Sequence, residues 1–346
     1  MVTSSSNKDN LIAKIIEWSI NNKFMVIILT LALIFGGVWA MINTPIDAIP
    51  DLSDVQVIIY TSYPGQGPRI VEDQVTYPLT TKMLSVPYAK VVRGYSFFGF
   101  SMVYIIFDDG TDIYWARSRV LEYLSSLQNE LPEGVAPQLG PDATGLGWVY
   151  QYVLQSDKKD LQELRSIQDF FLKYELSSIP GVSEVASIGG FVKQYQINVD
   201  PVKLAYYNIP LEKIKMAIKQ SNNDVGGRLL EIGETEFMVR GLGYIRTTED
   251  LKNVSIGVLR KTGSPIYLKD IANITIGPEL RRGLADWNGE GETVGGIVVM
   301  RYGENALAVI ERVKQRLEEL KKSLPADVQI ISSYDRSTLI DKAIDN

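Results

Sequence analysis

One stretch limits what this chain can fold into: residues Phe24 to Ile42 (FMVIILTLALIFGGVWAMI) carry no charged side chain between Lys23 and Asn43. At 1.5 Å per residue, about 20 apolar residues cross the roughly 30 Å hydrocarbon core of a bilayer, so the run reads as a membrane-spanning helix. Trp39 near its end suits the interface. Lys8, Lys14 and Lys23 precede the span, and no Lys or Arg follows it until Arg69. That bias places the N-terminus in the cytoplasm and everything after Asn43 on the far side. A buried core helix is disfavoured by the unbroken run. A cleaved signal peptide, with Val38 and Ala40 as its small residues, is disfavoured by the length of both the run and the leader.

The rest is globular in composition. The chain has 346 residues, 45% of them hydrophobic, and a formal charge of −6, room for two or three domains. Since three lysines precede the span against Asp9 and Glu17, the acidic excess lies after it, which does not suit nucleic acid. Cysteine and histidine are both absent. Disulfides, thiolate metal sites, cysteine nucleophiles, imidazole ligands and Ser-His-Asp arrangements are therefore excluded from this chain.

Before the span, Asn10 is expected to cap a helix that puts Leu11, Ile12, Ile15, Ile16 and Ile20 on one face, either interfacial or a simple extension of the span. After it, the two prolines and three aspartates of NTPIDAIPDLSD make an extended exit. A β-α-β-β-α order follows. Strand Val55 to Tyr60 leads to helix Arg69 to Leu84. Strands Lys90 to Tyr95 and Met102 to Phe107 form a hairpin around Phe98 and Gly99. Helix Asp112 to Leu131 has Trp115, Val120, Leu121, Leu124 and Leu127 as its apolar side, and Val135 to Leu139 closes the unit. This is a split βαβ, or ferredoxin-like, unit.

The pattern then repeats. Strand Trp148 to Leu154, helix Leu161 to Ile179 and strand Val182 to Ile188 open a second unit, and Val86-Pro87 matches Ile179-Pro180 at an offset of 93 residues. Its other parts resume after Arg282: strands Gly283 to Trp287 and Gly295 to Arg301, helix Asn305 to Ser323 and strand Val328 to Ser332. The insert, about Gly190 to Arg281, has a strand at Tyr195 to Val199, a helix at Leu211 to Gln220, a hairpin at Gly226 to Gly241, and strands at Val254 to Val258 and Pro265 to Tyr267. Ser337 to Asn346 reads as a helix just starting.

Few residues invite chemistry. Asp108-Asp109 could be paired carboxylates, but Asp-Gly after a strand makes turns and Asp112 suits a helix cap. Met83, Met102, Met216, Met238 and Met300 are thioethers outside the span, of the softness that Cu(I) or Ag(I) selects. No M-x-M or M-x-x-M cluster occurs among them, and each also fits a core position. No catalytic or cofactor-binding residue emerges, and the metal ligands stay unassigned.

Four runs carry a resemblance: INTPIDAIPDLSDVQV, SYPGQGPRIVEDQVTYPLTTKMLSVP, FDDGTDIYWARSRVLEYL and GPDATGLGWVY. Together they resemble the heavy-metal efflux branch of the resistance-nodulation-division transporters, closest to the copper/silver exporters, from about Ile15 to Asn346. The resemblance implies an α+β chain in which one transmembrane helix (24–42) follows a cytoplasmic tail and interfacial helix (1–23). Two ferredoxin-like porter subdomains follow, at 43–135 and at 136–189 plus 282–335, with an α+β docking subdomain (190–281) inserted in the second. Residues 336–346 would begin a second transmembrane helix, making the chain an N-terminal fragment of a multi-pass protein. It further implies a homotrimeric proton/cation antiporter, not an enzyme, in the bacterial inner membrane. Its partners would be a periplasmic adaptor, an outer-membrane channel and the lipid bilayer, with no cofactor besides the transported ion. The helix around Asp112 to Leu127 would line a central pore, and the Gly226 to Gly241 hairpin would reach a neighbouring subunit. Copper exporters of the family often have methionine after G-P-E, where this chain has Leu280. Two alternatives are a zinc, cobalt or nickel exporter of the same family and a membrane-anchored periplasmic binding domain.

Overall fold

In the computed structural model the apolar stretch is a helix, Lys23–Asn43, long and apolar enough to cross a membrane, and the rest of the described chain covers none of it. The structure describes residues 9–43, 47, 49, 51–127, 130–232, 235–241, 243–259, 262–279, 281 and 283–345. The tail before Asp9, Leu280 and the side chains of Leu11, Ile12 and Met238 lie outside the described parts. The helix Asp9–Asn21 starts one residue before the expected Asn10 cap. Hydrogen bonds continue across Asn22, whose N–H reaches the Trp18 carbonyl at 2.9 Å while its own carbonyl accepts from Val26 at 3.1 Å. The leader is thus an extension of the long helix, interrupted at a single residue.

The chain divides into two units, the first comprising Met1–Val149, Met300–Arg312 and Asp335–Asn346, the second Tyr150–Val299 and Val313–Tyr334. In the first, strands β1 (Gln56–Ser62), β2 (Ala89–Phe97), β3 (Phe100–Phe107) and β4 (Pro137–Leu139) form an antiparallel sheet in the order β2-β3-β1-β4. Alternation decides which face is covered. Val57, Ile59, Val103, Ile105 and Phe107 point into one core with Val75, Leu79 and Met83 from the helical segment 68–83 and with Ala116, Val120, Leu124 and Leu127 from the helix Ile113–Leu127. That second helix buries Ile113 and Ala116 but leaves Leu121 exposed and Trp115 partly so, correcting two members of the expected apolar side. The turn of the β2-β3 hairpin falls at Phe98 and Gly99, where Gly99 takes φ +70°.

The helical segment over this sheet is not regular. After Pro68–Val71 it loosens into a π-helical turn, Glu72–Thr76, before resuming as Tyr77–Met83. The extra residue rotates Thr76 inward, where its hydroxyl lies 2.8 Å from that of Ser101 and accepts from Ser96 Oγ at 2.8 Å. Gly94 makes room for it: a Cβ there would stand 2.5 Å from the Thr76 methyl.

In the second unit, β5 (Trp148–Gln155) leads through helix Leu161–Ile167, a π-helical turn Gln168–Leu172 and helix Lys173–Ser177 to β6 (Val182–Gly189). Asp160 caps this helix through Glu163 N–H at 2.8 Å, and Glu163 returns the bond. The π turn again brings a polar group inward. Gln168 is buried and accepts from the Tyr152 hydroxyl at 2.8 Å. Burial pushes the Tyr152 hydroxyl well above its ordinary pKa, against the Gln168 bond that lowers it.

The insert opens with β7 (Lys193–Val199) and holds β8 (Val225–Ile232), β9 (Thr235–Gly241), β10 (Ser255–Val258), β11 (Pro265–Tyr267) and β12 (Ala272–Pro278). Its first and last strands pair antiparallel, Val199 opposite Ala272 and Lys193 opposite Pro278, so the inserted chain leaves and returns at neighbouring points. Ile214, Leu251, Val254, Ile256, Ile266, Leu268 and Ile274 form its own core. The sequence reading omitted β12 and the helix Pro201–Tyr207, which Asp200 caps. The strands β13 (Val294–Met300) and β14 (Gln329–Asp335) complete a second four-stranded sheet, ordered β14-β5-β13-β6. In both sheets the order is fourth, first, third, second. The strand expected at Gly283 to Trp287 is a loop with a single bridge, Asp286 to Glu292, because Asp286 turns the chain through Gly289 N–H at 2.7 Å.

Candidate functional site

The predicted chemical residues fall into structural roles. Asp108 and Asp109 sit in a turn completed by Gly110 at φ +82°, and Thr111 Oγ1 donates to the Asp108 carbonyl at 2.6 Å. Asp112 caps the following helix through Trp115 N–H at 2.7 Å. Among the described residues no group of three or more acidic side chains could hold a metal ion. The thioethers among the described side chains are not gathered either. Met83 is fully buried under the first sheet, whereas Met102, one residue from inward-facing Ser101 and Val103, lies on the opposite face between its cross-strand partners Tyr60 and Tyr95. Met216 is exposed on the helix Leu211–Ser221 of the insert. Met300 ends β13, its N–H held by the Gly147 carbonyl at 2.7 Å.

What the first unit does bring together is a junction around residues 140–148, the GPDATGLGW run. Arg117 Nη1, from the helix Ile113–Leu127, donates to the Gly140 carbonyl at 2.8 Å, while Gly140 N–H reaches the Ile58 carbonyl of β1 at 2.7 Å. Asp142 accepts from the Tyr114 hydroxyl at 3.4 Å and stands 3.6 Å from Arg301 Nε. Burial and then the Asp142 carboxylate push the Tyr114 hydroxyl above its ordinary pKa. Thr144 Oγ1 donates to Asp51 at 2.6 Å. Arg336 donates through Nη1 to the Leu146 carbonyl at 2.6 Å and pairs through Nη2 with Asp47 at 3.0 Å. Four distant parts of the chain therefore meet on one short glycine-rich run.

Asp51 shows how finely this junction is balanced. Desolvation raises its pKa, yet the bonds from Thr144 and Ser53 and the charge of Arg336 outweigh it, and the carboxyl ends below its ordinary value. A carboxylate with a depressed folded pKa contributes stability that is complete above its unfolded value, about 3.9, and is lost as pH falls through the folded one. Thr144→Val should therefore raise the Asp51 pKa and move acid-induced loosening of the chain to higher pH. The check is the pH of half-loss of tryptophan fluorescence in parent and variant, with unchanged midpoints contradicting the assignment.

Sequence reasoning missed Arg336 and Asp47 as partners. The pair spans 289 positions, and neither lies in a pattern that announces a contact; only the GPDATGLGW run itself stood out.

The fold and the junction define a mixed α/β chain with one helix long and apolar enough to cross a membrane and two sheets of the same strand order, and comparison gives its family. The profile of the AcrB/AcrD/AcrF family matches residues 15–346, and the chain belongs to that family, within the resistance-nodulation-division transporters. It is 58% identical over 337 residues to the cation efflux system protein CusA of Escherichia coli K12 and, over the same length, to the putative cation efflux system protein SilA of Salmonella typhimurium. In each case the match covers 96% of this chain and 32% of the relative. The cobalt-zinc-cadmium resistance protein CzcA of Cupriavidus metallidurans is 36% identical over 340 residues. A crystal structure of a heavy metal efflux pump superposes with a TM-score of 0.86 at 32% identity, covering 96% of this chain and 33% of that one. The chain thus spans about a third of the length of the relatives it matches.

Proposed function

We propose that this chain belongs to the inner-membrane subunit of a proton-driven heavy-metal efflux pump that exports Cu(I) and Ag(I). The observation that carries this reading is the 58% identity, over nearly the whole chain, to two proteins named as cation efflux components, against 36% to one named for cobalt, zinc and cadmium. The divalent-metal reading rests on that more distant relative. A self-sufficient periplasmic binding domain is disfavoured, because the relatives continue for about twice this length beyond the matched third.

In this reading the two sheets of identical strand order are ferredoxin-like porter subdomains, and the insert with its own core is the docking subdomain. Residues after 43 are periplasmic, and the helix Ser337–Asp345 opens a second membrane span. The subunit works as a homotrimer with a periplasmic adaptor and an outer-membrane channel. Tyr114 and Leu121, exposed on the helix Ile113–Leu127, would face the central pore. With the described thioethers dispersed, the soft-metal ligands and the proton-carrying acids belong to the part of the protein that the relatives add.

The test is metal tolerance and cellular metal content after deleting and restoring the full gene, with copper, silver, zinc, cobalt and nickel salts applied separately. Sensitivity confined to copper and silver is the expected result. Sensitivity to zinc, cobalt or nickel would transfer the protein to the divalent branch, and no metal phenotype despite expression would refute metal efflux.

A further inference from the structure

We propose that Arg336 is a positioning residue that clasps the chain leaving the first membrane helix to the chain entering the next, so that the two helices keep a fixed spacing at the membrane surface. Asp47 lies four residues beyond the end of the helix Lys23–Asn43, and Arg336 immediately precedes the helix Ser337–Asp345. Four extended residues reach at most about 14 Å, so the tether between the span and the ion pair is short. On the other side there is no tether at all, because Asp335 Oδ1 accepts from Ser337 N–H at 3.0 Å and Ser337 Oγ at 2.6 Å and fixes the helix start beside the guanidinium.

The chemistry of the contact suits a clasp. Arg336 uses the two arms of its planar fork on different strands of chain: Nη1 on the Leu146 carbonyl at 2.6 Å, and Nη2 on Asp47 at 3.0 Å with the Ile49 carbonyl at 3.4 Å. Its own N–H donates to the Val149 carbonyl at 3.1 Å. A lysine ammonium offers no such fixed directions. The exit segment is fastened a second time, since Asp51 accepts from Thr144 in the same run that Arg336 grips.

The energetics separate a clasp from simple glue. The Arg336 side chain is 3% exposed, whereas that of Asp47 is 31% exposed, and Arg336 Nε is buried with no hydrogen-bond partner among the described residues. An ion pair whose cation is buried and incompletely satisfied is a poor source of stability, because desolvation of the guanidinium offsets much of the attraction. Its best-attested use is to fix register. Here the register is that between two chain segments at the membrane boundary. Thermal movement of one helix would then be carried to the other and to the 140–148 run rather than dissipated in a loose connection.

The inference rests on the reading of Ser337–Asp345 as the start of a second span, and its test does not depend on what is transported. Spin labels would be placed on the full-length protein at Val38→Cys and Leu339→Cys, both exposed positions outside the clasp, with any thiols of the remaining sequence removed. The distance distribution between them is recorded in membranes by pulsed electron resonance. The parent should give one narrow distance. Arg336→Gln and Asp47→Ala should each broaden or shift it, their combination should go no further than the worse single change, and Arg336→Lys should restore only part of the narrow distance. An unchanged distribution in either folded single variant overturns the proposal. If Arg336→Gln does not fold, Asp47→Ala decides alone, since its partly exposed side chain is the gentler loss. Metal tolerance is scored in parallel. Should the labelled parent confer none, the efflux reading fails while the distances still judge the clasp.

Discussion

Gly189→Ala is expected to prevent the second unit from folding. Gly189 ends β6 at φ +68°, where a Cβ would lie 2.0 Å from the Thr293 carbonyl oxygen and 2.8 Å from the Ala285 Cβ. The first of these neighbours is backbone and cannot rotate away. It is also anchored, because Thr293 N–H donates to the Ala285 carbonyl at 2.9 Å and Thr293 Oγ1 to the Leu154 carbonyl at 3.1 Å. Moving Gly189 instead would pull on Arg165, whose Nη1 donates to its carbonyl at 2.6 Å while Nε holds Asp169 at 2.8 Å. A non-glycine residue in the left-handed region costs about 1–2 kcal/mol, and forced overpacking about 1–3 kcal/mol more. A broken buried hydrogen bond adds about 1–3 kcal/mol. Together these approach the whole stability of a typical domain, about 5–15 kcal/mol. Gly263→Ala supplies the control, since Gly263 has φ +70° with open space where the Cβ would go. It should lose only the strain. Thermal melting of the detergent-solubilised chain compares the two, and equal losses would refute the clash argument.

The same position shows where sequence reading reached its limit. The strand that Gly189 ends was legible from Val182 onward, because β-branched residues bounded by a Pro-Gly turn announce themselves. The steric need for glycine at its end comes from Thr293, more than a hundred residues away, and no local pattern encodes it. The long apolar helix and the repeat offset were readable for the complementary reason, since both are properties of composition and spacing. The π-helical turns at Glu72–Thr76 and Gln168–Leu172 were not. In a string of letters a loosened turn looks like ordinary helix, and only the inward placement of Thr76 and Gln168 on partners from the sheet reveals it. Leu121 misled for a related reason: its spacing fits the apolar stripe, but the sheet covers the face centred on Ala116 and Val120. The strand β12 was missed although Ala272, Ile274 and Ile276 alternate, because its hydrogen bonds go to β7, some eighty residues earlier. The junction was hidden most completely. Its glycine-rich run could be seen, yet Asp47, Asp51, Arg117, Arg301 and Arg336 look like ordinary surface charges until the chain is folded.

Met83 offers the sharpest separation of packing from metal chemistry. Met83→Ala should destabilise the first unit by about 2–5 kcal/mol, the usual range for truncating a buried methionine, because the side chain is fully enclosed between the sheet and its helices with Leu79, Val103 and Phe107 in the same core. Met83→Leu keeps nearly the same volume and should cost less than about 1.5 kcal/mol. A thioether that serves only to fill space can be exchanged for an isobutyl group without loss of function. A thioether that binds Cu(I) or Ag(I) cannot, since leucine offers the metal no lone pair. On the proposed metal-efflux reading, the tolerance that the full-length protein gives should therefore survive Met83→Leu at the parental level and fall with Met83→Ala only as far as the amount of folded protein falls. Loss of copper or silver tolerance in a Met83→Leu protein that melts like the parent would return this residue to the list of ligands. The expectation that it will not follows from the strand alternation: the face that buries Met83 is sealed by apolar side chains, and a cation entering it would give up its hydration for a single sulfur.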